Sequence, residues 1–129
     1  VIAQRLVHTL CRKCKEDYHP TQEEFDLLAE EYGTEEFSSL GIKYKDSLML
    51  KRPVGCKKCE ETGLAGRTGL YEILEGTPEL KSLVMKGATV EELRKQAISD
   101  GMTTLKQDGI QKVFKGECDL KHVNAVCLL

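Results

Sequence analysis

GCKKCEETGLAGRTGLYEIL, residues 55–74, joins a Cys-x-x-Cys pair to a glycine-rich link and an apolar run. A second pair lies upstream in CRKCKED, residues 11–17. Cys11, Cys14, Cys56 and Cys59 therefore make a C-x2-C…C-x2-C pattern with 41 residues between the pairs. Zinc prefers four tetrahedral ligands, and each C-x-x-C turn can aim two sulfurs at one ion. The usual gap in such patterns is roughly 15–20 residues. The surplus here reads as a helical insertion, around residues 21–40, whose ends lie close together. Lengthening a loop costs on the order of 0.6 kcal/mol per doubling, whereas a structural zinc supplies about 10 kcal/mol or more. Metal binding wins, and the four cysteines are expected to hold one zinc.

The neighbours agree with that expectation. Four thiolates around Zn²⁺ carry a net negative charge, and Arg12, Lys13, Lys15, Lys57 and Lys58 sit within or beside the pairs, where they favour thiolate. Disulfides are the first rival, but no secretory signal is visible and stable disulfides are rare in the cytosol. Thioredoxin-type redox chemistry is the second rival, and it has no use for a matched second pair. Four cysteines leave no open coordination position, so a catalytic zinc is not expected. Cys127 lies on an apolar stripe and reads as a buried structural residue, and Cys118 also stands outside the pattern. His8, His19 and His122 are isolated, and His8, although three residues from Cys11, is not needed as a ligand.

Around the cysteines, punctuation marks out further elements. Ala3, Leu6, Val7 and Leu10 fall at helical spacing, so residues 1–10 are expected to be a helix. Thr21 and Glu24 fit a capping box ahead of the stripe Phe25, Leu28, Ala29, Tyr32, with Gly33 as the stop. A short helix capped by Thr34 follows, and SLMLKRP reads as a short strand ended by Pro53. GLAGRTG reads as a turn, and LYEILE as a strand with apolar residues on both faces, which suits burial inside a sheet. Thr77–Pro78, the Thr89/Glu92 box and Asp119 then open helices, with Val90, Leu93 and Ala97 expected to face inward. Leu105, Ile110, Val113 and Phe114 stripe the helix between the last two of these starts. The fold class expected is α+β and mainly helical, with a four-Cys lobe, a helical lobe and a strand between them that belongs to a larger sheet.

Charge narrows the function further. The formal net charge is −2 and the pI about 6.0, which gives no support for a nucleic-acid binder. That balance conceals a segregation, because residues 16–36 carry nine acids and no Lys or Arg. The simplest reading is a solvated helix face, with a partner-docking patch as the alternative. No run approaches the roughly 20 apolar residues of a membrane span. No G-x-x-x-x-G-K-[ST] loop or Ser-His-Asp constellation is present, so no catalytic or nucleotide-binding residue is assigned. The chain lacks an initiator Met and is expected to be cut from something longer.

Three segments occur in order: AQRLVHTLCRKC, then GCKKCEETGLAGRTGLYEIL, then GMTTLKQDGIQKVFKG. Together they resemble the C-terminal part of the secretion ATPases, the hexameric traffic ATPases of type II secretion and type IV pilus assembly. The resemblance implies a structural zinc on Cys11, Cys14, Cys56 and Cys59, with ATP and magnesium bound only by the parent protein. It implies residues 1–10 as the end of a RecA-like nucleotide-binding core, 11–65 as a tetracysteine subdomain with an acidic insertion, 66–75 as a strand returning to the core sheet, and 76–129 as a C-terminal helical lobe. It also implies a cytoplasmic homohexamer at the inner membrane, partnered by neighbouring subunits and by an inner-membrane platform or other cytoplasmic domains of the machine. Retraction-type relatives lack the four cysteines, so the resemblance favours secretion or pilus assembly. The acidic insertion and the tail cysteines depart from the family's pattern. A stand-alone zinc ribbon with a basic face at Arg52, Lys57, Lys58 and Arg67 is the competing reading, and salt-dependent DNA affinity would favour it.

Overall fold

Residues 2–10, expected to be helical, form a strand instead, β1 (Ile2–Leu10). The computed structural model describes residues 1–127. After β1 come β2 (Glu16–Tyr18), α1 (Gln22–Tyr32), α2 (Thr34–Ser38), β3 (Leu50–Arg52) and β4 (Leu64–Ile73). Four helices complete the described residues: α3 (Pro78–Met85), α4 (Val90–Ser99), α5 (Leu105–Phe114) and α6 (Leu120–Val126).

β1 pairs antiparallel with β4, from Ile2 opposite Ile73 to Leu10 opposite Leu64, with a register shift between His8 and Leu10. The segment GLAGRTG, expected to be a turn, is therefore mostly the first half of β4. Opposed residues of an antiparallel pair share a face. Ile2, Leu6, Tyr71 and Ile73 lie on the outer face and are exposed, while Val7 and Leu70 are completely buried on the other. β2 and β3 make a second, three-residue pairing, crossed by ion pairs of Asp17 with Lys51 and of Glu16 with Arg52. Both pairs are largely exposed, and exposed pairs contribute little, about 0–1 kcal/mol.

α5 organises the interior. Its Ile110 and Val113 are buried among Val7, Leu70, Leu50, Phe25, Leu28 and Tyr32. One core therefore joins residues before and after the second cysteine pair, where two separate lobes had been expected. Phe25, Phe37 and Phe114 stack edge-on or tilted at 5.5–6.2 Å between centroids, a favoured arrangement of aromatic rings. Gln107 ties the helices together: its Oε1 accepts from Thr104 N–H (2.9 Å) and its Nε2 donates to Tyr32 O (2.8 Å). One side chain thus caps the start of α5 and the end of α1. On the other side, Asp108 accepts from Tyr71 N–H at 2.9 Å and Glu72 from Leu105 N–H at 3.1 Å, clamping α5 to the free edge of β4.

Gly109 lies where α5 meets α6. A Cβ there would come within 2.4 Å of Val123 Cγ1, and Val123 is fully buried. Glycine inside a helix normally weakens it, but here the close approach dominates. Gly109→Ala is expected to lower unfolding free energy by about 1–3 kcal/mol through overpacking, as a denaturation midpoint would show.

Four of the expected helix starts hold. Thr21, Thr77, Thr89 and Asp119 each accept a hydrogen bond from the amide three residues on. Gly33, not Thr34, precedes α2, and Glu24 turns its carboxylate to the Tyr18 hydroxyl (3.0 Å) rather than back to Thr21. Val90, expected inward, is 76% exposed. It is the first residue of α4, where no neighbouring element covers it.

Candidate metal centre

The two cysteine pairs meet where β1 ends and β4 begins. Cys11 directly follows β1, and its N–H donates to Gly63 O at 2.9 Å. Cys56 precedes a single 3-10 turn that ends at Cys59, and Gly63 precedes the first residue of β4. The ribbon thus brings together residues far apart in sequence, and the acidic insertion between them packs its apolar face on the core with α5.

All four Sγ atoms lie within 4.8 Å of one another. Cys11–Cys56 and Cys14–Cys59 are 3.8 Å apart, and Cys56–Cys59 3.7 Å. Four sulfurs at the Zn–S bond length of about 2.3 Å define a tetrahedron with edges of about 3.8 Å. The donor set and spacing therefore fit a single tetrahedral ion. No disulfide links the cysteines.

Backbone amides converge on the sulfurs. Gly55 N–H donates to Cys14 Sγ at 3.3 Å, and Cys56 and Gly63 N–H both donate to Cys59 Sγ at 3.2 Å. Burial raises the Cys59 thiol, but the two amides outweigh it and bring the pKa down to about 6. For Cys14, burial dominates over the single Gly55 amide and pushes the thiol up to about 11. Hydrogen bonding to the charged form favours that form, and desolvation opposes it. Gly63 serves both pairs at once, with its N–H on one sulfur and its C=O on the Cys11 amide. A Cβ at Gly63 would fall 2.6 Å from Pro53 Cβ, and its φ of +77° is left-handed, so glycine is required there.

The remaining candidates lie elsewhere. His8 packs edge-on against His122 at 6.4 Å between centroids. His19 is bound by Leu48 O and the Tyr44 hydroxyl. Cys118 is completely buried, and that burial pushes its thiol up to about 11. Cys127 is only half-buried against the core. Lys15, read from sequence as a thiolate-stabilising base, donates to Gly116 O at 2.9 Å. Sequence reasoning missed the amide donors of Gly55 and Gly63, although the glycine placed just before one pair and four residues after it was the available signal.

Residues 1–125 match the family described as Type II/IV secretion system protein. The chain belongs to that family. Among curated members, this Type II/IV secretion family chain is 36% identical over 126 residues to the type II secretion system ATPase E of Vibrio cholerae serotype O1. It is 32% identical over 126 residues to the type IV pilus assembly ATPase PilB of Pseudomonas aeruginosa, and 31% identical over 125 residues to the PilB of Thermus thermophilus. These alignments cover 97–98% of this chain but 22%, 20% and 13% of the respective relatives. The family chain therefore spans about a fifth or less of the proteins it matches.

Proposed function

We propose that this chain is the zinc-holding, C-terminal portion of a hexameric ATPase that powers type II protein secretion or type IV pilus assembly. Cys11, Cys14, Cys56 and Cys59 are the ligands of one structural zinc. ATP and magnesium belong to the parent's nucleotide-binding core, of which β1 and β4 form a part. The parent works at the cytoplasmic face of the inner membrane, and this portion meets a neighbouring subunit or a platform protein. No helix among the described residues is long and apolar enough to cross a membrane.

The observation that carries this reading is a four-sulfur cluster of zinc-like spacing inside a chain that aligns, over 98% of its own length, with about a fifth of secretion and pilus ATPases. Zinc supplies a cross-link between the two pairs. The chain's own residues do the rest: the amides of Gly55, Cys56 and Gly63 satisfy the sulfurs, and the ribbon positions them. Elemental analysis of the purified chain is expected to give close to one zinc per chain. In the complete polypeptide, Cys56→Ser with Cys59→Ser is expected to reduce secretion or piliation. Unchanged transport with the metal lost would remove the coupling role.

A further inference from the structure

The two cysteine turns are built differently. In the first, Cys11 is nearly completely buried, and no residue before Gly33 has a positive φ. The second, residues 55–63, has four such residues: Gly55 (+112°), Glu60 (+57°), Glu61 (+65°) and Gly63 (+77°). Glycine adopts this region freely, whereas a side chain with a Cβ is disfavoured there. Glu60 and Glu61 are the non-glycine residues with positive φ among those described, and they are adjacent.

Their side chains offer no compensation. Both are exposed, and neither has an ion pair among the described residues. What the turn achieves is on the backbone. Glu61 N–H reaches Cys56 O at 2.8 Å, Thr62 N–H reaches Cys59 O at 3.2 Å, and Gly63 N–H is brought to Cys59 Sγ. The disfavoured conformation is thus tied to the geometry that gathers the sulfurs.

We propose that Glu60 and Glu61 hold the metal affinity of this site below what its sulfur geometry alone would give. The inference rests on reading the four cysteines as zinc ligands. With the metal bound, closure of the site enforces the left-handed pair. With it gone, only the local hydrogen bonds oppose their return to ordinary backbone conformations. Gly55 and Gly63 bracket the turn as hinges. Residues 55–63 are the half that lets go, while Cys11–Cys14 stays set by β1.

The test is chelator competition for zinc by the full chain. Glu60→Gly and Glu61→Gly are each expected to bind zinc about fivefold to tenfold more tightly, the scale of the left-handed penalty. Glu60→Asn, which tolerates this region with less added chain freedom, is expected to follow Gly. Glu60→Gln and Glu61→Gln remove charge but keep the backbone penalty, and are expected to stay near the unsubstituted chain. Gly variants with unchanged affinity would overturn the proposal, as would Gln variants that tighten as much as Gly. Amide exchange after metal removal is expected to rise first in 55–63, and the opposite order would overturn it too. If the unsubstituted chain bound no zinc, the ligand assignment would fail first, visibly and before any variant is compared.

Discussion

Chelating the metal, or replacing Cys59 with serine, is expected to abolish zinc binding and open the cysteine end of the chain while the helical core stays folded. The effect is large because a structural zinc supplies about 10 kcal/mol or more of apparent folding free energy. A chain of 129 residues has a total stability of roughly 6–19 kcal/mol. Little else holds this end. β2 and β3 pair over three residues with exposed ion pairs, and Cys59 is the sulfur on which the Cys56 and Gly63 amides converge. The core around Ile110, Leu70 and Val7 does not use the sulfurs. Amide exchange in residues 53–63 should therefore rise sharply, while the far-UV helical signal persists. Metal-free protein with unchanged exchange at 53–63 would end the structural role assigned to the site.

Ile110→Ala is expected to cost about 3–4 kcal/mol, in the middle of the range for truncating a fully buried aliphatic side chain. Ile110 has no exposed surface and sits in a core shared with residues from β1, α1, β3, β4 and α6. Few of these neighbours can move into the void, because the clamps at Gln107, Asp108 and Glu72 hold α5 on both sides. Since the core is shared, probes in α1 and in α6 should report one denaturation transition shifted by the same amount. If the helical half alone shifted, with α1 melting as before, the single-core description would be wrong.

Much of the architecture is legible in the sequence, and the misreadings have physical causes. The helix starts are carried by local chemistry, a side-chain oxygen accepting a nearby amide, so Thr21, Thr77, Thr89 and Asp119 could be placed without the fold. The cysteine spacing likewise predicts that four sulfurs converge, and they do. β1 was misread because of its bulge. Val7 and Leu10 both point inward, yet the register shift between them makes their spacing three, as in a helix. β4 was read short because Gly66 and Gly69 imitate a turn, whereas pairing with β1 extends the strand through them. The core shared across the expected lobe boundary went unread for a third reason. The bond from Gln107 to Tyr32 O spans 75 residues, and no local pattern announces it.

The ribbon also dictates an order of assembly. β1 is made before its partner β4, which ends at residue 73, and ribosomes add about 5–20 residues per second. For several seconds β1 waits with an unpaired edge, the kind of exposure that invites wrong pairing. A metal held by the four cysteines would shorten the search, because Leu10 and Leu64 are neighbours of Cys11 and Gly63 and are also the last rung of the ladder. A nascent chain that captured zinc once Cys59 had emerged would already have closed the 41-residue gap between the pairs. β4 could then zip along β1 from that end as it leaves the tunnel, so a metal held there would set the starting point of folding as well as add to the strength of the finished fold.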